Sequence, residues 1–232
     1  MKGIKTICAV LAALVITGCG TSTKTGTLVG GGGGAALGAI IGGLVGNSGK
    51  SALIGSAIGG AVGTGAGYLI GKKMDKAKAA AAQVDNATVE TVTDANGLQA
   101  VKVSFDNGIL FSTGKSVLQP SAQASLSQFA NKVLNVYTDC DVAIYGYASS
   151  DGSDELNLNL SNNRAYAVSN YLQNTCRVSP AQVKTVKGFG EDPQYLVRNS
   201  DGSENAAASR RVEVYLYASQ AMVDAANAGT LK

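Results

Sequence analysis

Glycine recurs at every fourth position through one apolar segment, and this spacing constrains the fold more than any other feature. One run comprises Gly30, Gly34, Gly38, Gly42 and Gly46, and a second comprises Gly55, Gly59, Gly63, Gly67 and Gly71. Residues four apart share one face of a helix, so each run predicts a helix with a smooth glycine face. Residues 47–51 between the runs are typical of a turn. Residues 28–71 are therefore predicted to form a glycine-zipper helical hairpin.

The surroundings of this hairpin are constrained by its composition. Glycine disfavours a helix in water by about 1 kcal/mol relative to alanine, so the hairpin needs a bilayer or a homo-oligomer to stabilise it. Its sole charge is Lys50, in the turn. The alternative is a flexible glycine-rich spacer. The tripeptide Gly49-Lys50-Ser51 resembles the end of a phosphate-binding loop, but Leu44 stands where that motif requires glycine, which excludes nucleotide binding.

The N-terminus is typical of an exported chain. Lys2 and Lys5 precede an apolar run and small residues, which predicts a signal peptide over residues 1–18. The following sequence, Leu-Val-Ile-Thr-Gly-Cys at 14–19, resembles a bacterial lipobox. That resemblance implies lipidation of Cys19 and a short lipidated linker, residues 19–27. The alternative is a chance cysteine beside a signal.

Composition excludes several classes of function. The chain has no histidine, which removes histidine-dependent triads and zinc sites, and we expect no metal or cofactor. Loss of Lys2 and Lys5 with the signal lowers the excess of basic over acidic residues from three to one, so we expect no nucleic-acid partner. Cys140 and Cys176 remain as an even pair in an oxidising compartment, and we expect a disulfide between them. The alternative is two buried thiols.

A different periodicity begins near residue 100. Residues 101–105 and 109–111 predict two strands joined at a turn, Pro120 opens a helix, and 142–146, 183–188 and 211–217 predict further strands. A second helix is predicted over about 155–175. The predicted fold class is α+β, a βαβαββ mixed sheet with helices packed on it, over residues 100–218. We expect residues 72–99 to be a linker that contains a short alanine- and lysine-rich helix over 74–83, although 84–99 are also compatible with an early strand. Residues 219–232 are expected to be a tail.

A specific motif lies in the second predicted helix. Residues 157–172 fit N-x-x-L-S-x-x-R-A-x-x-V-x-x-x-L at every defined position. This resembles the peptidoglycan-binding signature of the OmpA C-terminal family, and the order of the surrounding segments is also similar over about residues 100–218. The resemblance implies a binding domain for a diaminopimelate-type stem peptide, with a site formed by Thr113, Gly114, Ser149, Asp151, Asn157, Arg164, Arg210 and Arg211.

Chemical roles follow from this resemblance. Arg164 matches the arginine expected to bind the ligand carboxylate, because a guanidinium donates two parallel hydrogen bonds. Asn157, two helical turns earlier, is expected on the same face. One of Arg210 and Arg211 is expected near the ligand and the other in a structural role. Ser149 stands where the family usually has an aspartate for the ligand ammonium, and Asp151 is the nearby carboxylate.

The predicted function is therefore an outer-membrane lipoprotein that tethers the envelope to peptidoglycan, with its C-terminal domain in the periplasm. The alternative is a glycine-zipper oligomer or pore in which the C-terminal domain is a scaffold. We expect no catalytic residues: Asp151, Asp154 and Glu155 share one loop without a matching base or nucleophile. A motor-stator role needs an acidic residue in a membrane helix, which residues 28–71 lack.

Overall fold

A computed structural model describes residues 62–231, in which helices pack on a five-stranded sheet. The strands are β1 (Ala87–Thr93), β2 (Gln99–Asp106), β3 (Cys140–Tyr147), β4 (Val183–Gly188) and β5 (Arg211–Ala218). The helices are α1 (Thr64–Ala81), α2 (Asn107–Leu110), α3 (Pro120–Phe129), α4 (Asp154–Asn170), α5 (Ala206–Ser209) and α6 (Gln220–Asn227). Helices α3 and α4 continue as π-helical turns over Ala130–Leu134 and Tyr171–Thr175.

The sheet has the strand order β1-β2-β5-β3-β4. Strands β3 and β4 are parallel and are connected through α4, whereas the other neighbouring pairs are antiparallel. This mixed sheet with packed helices confirms the predicted α+β class. The crossover places α4 over β3 and β4. Helix α4 carries the motif of residues 157–172, so the motif lies beside the ends of both strands.

Alternation along the strands divides the interior into two layers. In β3, Val142 and Ile144 belong to the large core beneath the helices, while Tyr145 and Tyr147 point to the opposite face. That opposite face carries a cluster of buried tyrosines with Phe189 packed against it. Because successive side chains of a strand point to opposite sides, each strand contributes side chains to both layers.

The segment expected to be a linker is instead part of the fold. Helix α1 begins within the second glycine run, passes Gly71 without ending, and buries Ile70 and Met74 in the main core. Strand β1 pairs with β2 from Ala87 to Thr93. The linker expected over 72–99 is not observed, whereas the alternative of an early strand within 84–99 agrees with β1. Alternating threonine and valine favour this strand, and the apolar stripe of α1 needs a surface to cover it.

Two other local predictions were also wrong. Residues 109–111 do not form a hairpin strand: Asp106 Oδ1 accepts a hydrogen bond from Gly108 N at 2.6 Å and the chain makes the single turn α2. The expected tail over 219–232 contains α6, whose first turn is capped by Ser219 Oγ, 3.1 Å from Met222 N. Met222 is buried in the main core, so an amphipathic pattern was missed at the end of the chain.

The predicted disulfide is not formed. Cys140 and Cys176 are both free thiols; Cys140 is buried at the start of β3, and Cys176 Sγ lies 3.7 Å from Ser127 Oγ. The alternative of two thiols therefore describes this structure, with only Cys140 fully buried.

The signal peptide, Cys19 and most of the predicted glycine hairpin lie outside the described residues. Within residues 62–231, no helix combines the length and apolarity required to cross a membrane.

Candidate functional site

Helix α4 lies unusually close to the sheet at two glycines. A Cβ atom added to Gly146 would meet Ser161 O at 2.2 Å, and one added to Gly188 would meet Asn162 N at 2.2 Å. The same turn of the helix bonds to the sheet, since Asn162 Oδ1 accepts from Gly188 N at 2.7 Å and Ser161 Oγ accepts from Gly190 N at 2.9 Å. These contacts fix the height of α4 above β3 and β4.

The beginning of α4 is attached to the loop after β3. Ser153 caps the helix by accepting from Leu156 N at 3.4 Å. Asn157 is buried, and its Nδ2 donates to Ser149 O at 3.1 Å and to Asp151 O at 3.0 Å, with Glu191 Oε2 also within hydrogen-bonding distance. The carboxamide thus organises the loop after β3.

Arg164 is a buried cation on the same side of α4. Only 2% of the residue is exposed, its Nε donates to Lys115 O at 3.0 Å, and its guanidinium carbon lies 5.4 Å from the centre of the Phe111 ring. Among residues 62–231 no carboxylate forms an ion pair with it. Burial, and secondarily the positive charge of Arg210, lowers the pKa of Arg164 from 12.5 to about 10.

A second charged group lies beside Arg164. Arg210 Nη1 donates to Ser149 Oγ at 3.1 Å and to Asp151 Oδ2 at 3.0 Å, and Ser149 Oγ donates to the same carboxylate oxygen at 3.0 Å. Ser149 is buried, whereas the Asp151 side chain is 73% exposed. The serine therefore positions the loop carboxylate against Arg210.

Arg211 has a structural role. Its Nε donates to Glu213 Oε1 at 2.7 Å, its Nη1 donates to Tyr195 O and Ser209 O, and its guanidinium carbon lies 4.1 Å from the centre of the Tyr147 ring. Glu213 is 3% exposed. Of the two neighbouring arginines, Arg210 is thus the one that faces the site.

The loop before α3 forms one wall of the site. Lys115 N donates to Ser112 O at 3.0 Å, which closes a turn around Thr113 and Gly114. Gly114 has a φ of 67°, a left-handed conformation that glycine adopts without strain. Both residues are exposed, and the turn is tied to the site because the Lys115 carbonyl accepts from Arg164.

The structure thus brings Ser149, Asp151, Asn157, Arg164 and Arg210 together, with Thr113 and Gly114 on an adjoining turn. Sequence reasoning missed Glu191 and the Lys115 carbonyl. Glu191 directly follows the Gly-Phe-Gly segment at the end of β4, so an acidic residue at a strand end beside the motif was the available signal. Asp154 and Glu155 occupy the first turn of α4, where carboxylates stabilise the helix dipole.

The arrangement can bind a ligand that carries both charges. The charge of Arg210 is near enough to lower the pKa of Arg164, and Arg164 has no carboxylate partner in the described residues. The carboxylates of Asp151 and Glu191 lie at the beginning of α4. Residues 62–231 contain no group of three side chains suited to hold a metal ion.

Comparisons with known proteins find relatives of both the glycine-rich segment and the sheet-forming region. The OmpA family model matches residues 110–211, and a YMGG-like Gly-zipper model matches residues 1–75. The chain is 32% identical over 227 residues to probable lipoprotein YiaD of Escherichia coli (strain K12), covering 93% of this chain and 98% of that protein. It is 30% identical over 140 residues to outer membrane protein A of Shigella flexneri, covering 57% of this chain but only 40% of that protein.

The fold has a counterpart among solved structures. A MotB-like protein from Desulfovibrio vulgaris superposes with a TM-score of 0.50 at 21% identity, covering 66% of this chain and 92% of that one. At this identity the likeness concerns the fold alone.

Proposed function

The chain belongs to the OmpA family and carries a YMGG-like glycine zipper at its N-terminus, and on this premise we propose that it binds peptidoglycan and tethers the outer membrane to it. The ligand we propose is the diaminopimelate-type stem peptide, held noncovalently and without catalysis. We further propose that acyl chains on Cys19 anchor the protein in the outer membrane, with residues 62–231 in the periplasm.

The observation that carries this proposal is the state of Arg164. A guanidinium has five N–H donors, and this one donates a hydrogen bond to the Lys115 carbonyl alone among the described residues. Burying a cation without a counter-charge is unfavourable, and the lowered pKa of Arg164 reflects that cost. A carboxylate from the ligand would supply the missing charge and accept two parallel hydrogen bonds.

Arg210 extends the same anion-binding site. It is about one-third exposed and shares Asp151 with Ser149, so its remaining donors face the site without being buried. Because the Arg210–Asp151 pair is exposed, it contributes little to stability and can exchange partners when a ligand carboxylate arrives. We assign Arg210 the role of assisting Arg164, and Thr113 and Gly114 the role of the adjoining loop wall.

The test is cosedimentation of the full-length lipidated protein, in detergent, with purified diaminopimelate-type sacculi. We expect the wild type to sediment with the sacculi and Arg164→Ala to remain in solution. Arg177→Ala is the matched control: this exposed arginine follows the far end of the α4 segment and removes the same charge. A wild-type protein that stays in solution, or an Arg164→Ala protein that sediments like the control, contradicts the proposal.

The full-length chain is required because a fragment starting near residue 97 would lack α1 and β1. Strand β1 is an edge of the sheet, and α1 covers part of the main core. Loss of binding by such a fragment would report unfolding and not the chemistry of the site.

A further inference from the structure

Glu191 lies beside Asn157 in the site. It is three residues beyond the end of β4, and the backbone before it is held from both sides: Gly190 N donates to Ser161 Oγ at 2.9 Å, and Gly190 O accepts from Ala148 N at 2.7 Å. These bonds leave the half-buried side chain of Glu191 directed at Asn157, whose Nδ2 lies within hydrogen-bonding distance of Glu191 Oε2.

Around Asn157 there are more acceptors than protons. Its carboxamide supplies two N–H groups, but three oxygens lie within reach of the nitrogen: Ser149 O, Asp151 O and Glu191 Oε2. Two N–H groups cannot satisfy three oxygens at once, so a ligand donor that reaches this position finds an acceptor available. An ammonium group, with three N–H donors and a positive charge, has the chemistry that this set of oxygens lacks.

The charges of Glu191 and Arg164 also favour a ligand with an ammonium group. In residues 62–231 Glu191 forms no ion pair with Lys or Arg, and Arg164 forms none with a carboxylate. Asn157 and Arg164 stand two turns apart on one face of α4, about 10 Å along its axis, and helical side chains lean toward the N-terminus, which brings the guanidinium closer to Asn157. An unpaired anion and an unpaired cation thus lie at one site.

We infer that Glu191 is the carboxylate that receives the ammonium of a ligand whose own carboxylate is bound by Arg164. This assignment rests on the proposed function and specifies the ligand as a zwitterionic amino-acid end group. Asp151 is less suited to the role, because its Oδ2 already accepts from Arg210 and Ser149 and its side chain is largely in water. Glu191 therefore takes over the charge that Ser149 cannot supply.

The test compares two tripeptide probes by calorimetry with the full-length protein in detergent. One probe is L-Ala-γ-D-Glu-meso-diaminopimelate, and the other is the same peptide with the side-chain amine of diaminopimelate acetylated. We expect Glu191→Gln, which keeps the size and the acceptor oxygen, to weaken binding of the first probe roughly tenfold. Its affinity for the acetylated probe should equal that of the wild type, because that probe has no ammonium.

Asp192→Asn is the matched control, since it removes the adjacent negative charge and keeps the acceptor that Gln194 uses. It should leave both affinities unchanged. If Glu191→Gln leaves the affinity for the first probe unchanged, or weakens both probes equally, the assignment is wrong while the proposed function stands. A wild-type protein that binds neither probe, tested beside Arg164→Ala, refutes the proposed function and the assignment with it.

Discussion

Substitution of Gly188 by alanine should destabilise the protein and displace the binding site at the same time. The added Cβ would lie 2.2 Å from Asn162 N and 2.4 Å from Ser161 Oγ, where tight contacts ordinarily begin near 3.0–3.4 Å. The serine hydroxyl can rotate, but the backbone nitrogen cannot. Helix α4 therefore has to move away from β4 by roughly 1 Å, which also stretches the 2.7 Å hydrogen bond from Gly188 N to Asn162 Oδ1.

The magnitude follows from these contacts. Overpacking in a close-packed interior costs about 1–3 kcal/mol, and we place Gly188→Ala at the upper end because backbone atoms are involved. For a folded region of this size, about 3 kcal/mol corresponds to a decrease in Tm of roughly 6–12 °C. Binding should weaken further, because Asn157 and Arg164 move with the helix and a site tolerates displacements of only about 0.5 Å.

The assay is thermal unfolding followed by circular dichroism, with stem-peptide affinity measured well below the Tm of each variant. Gly65→Ala is the control, because a Cβ there meets nothing within 4 Å and alanine favours the helical conformation of α1. We expect its Tm to equal or slightly exceed that of the wild type. A Gly188→Ala protein that unfolds within about 2 °C of the wild type refutes the close-approach reasoning.

Three further predictions concern other parts of the chain. Burial raises the pKa of Asp94 from 3.8 to about 6, so its ionised form destabilises the native state; that penalty develops between about pH 4 and 6 and persists above. The Tm of Asp94→Asn should therefore exceed that of the wild type at about pH 7.5 and equal it at about pH 3.5. A variant that is less stable than the wild type at about pH 7.5 but not at about pH 3.5 contradicts this reasoning. Arg211→Ala leaves Glu213, which is 3% exposed, without its closest cation, so urea titration should show a loss of about 3 kcal/mol, whereas an unchanged midpoint would assign Arg211 to the ligand instead. If wall binding is the function, Gly38→Leu should still cosediment with sacculi. If this variant, which retains Arg164, fails to cosediment, the result favours the glycine-zipper assembly.

The α+β class and the position of the motif helix were predictable because strong local patterns determine them. Alternation in β2 and β5 and the apolar stripe of α3 appear in the sequence, and Pro120 marks the start of that helix. Helix α6 was missed, and strand β1 was considered only as an alternative to a linker, because their apolar residues are few. Their burial depends on surfaces supplied by distant parts of the chain.

The site was predictable in part for a similar reason. The spacing of Asn157 and Arg164 follows from helix geometry, so their common face could be expected. The roles of Arg210 and Arg211 could not be separated, because only the fold shows that Arg210 ends the short helix α5 beside Asp151, whereas Arg211 begins β5 and pairs with Glu213. Glu191 was missed because its relation to Asn157 joins positions 34 residues apart.

The position of α1 changes how the glycine-rich segment and the sheet relate to each other. If residues 72–99 were a flexible linker, the glycine-rich segment and the sheet would be independent modules. Helix α1 instead starts inside the glycine repeat and ends against the sheet, with Ile70 and Met74 fully buried and Lys73 Nζ 2.5 Å from Asp139 Oδ2 beside the start of β3. Five buried apolar or small residues at helical spacing hold it there, so detaching α1 exposes core surface. They are Ala66, Ile70, Met74, Ala77 and Ala81. The last turns of the glycine repeat therefore belong to the folded domain, and their substitution acts on its stability as well as on whatever the repeat itself contacts.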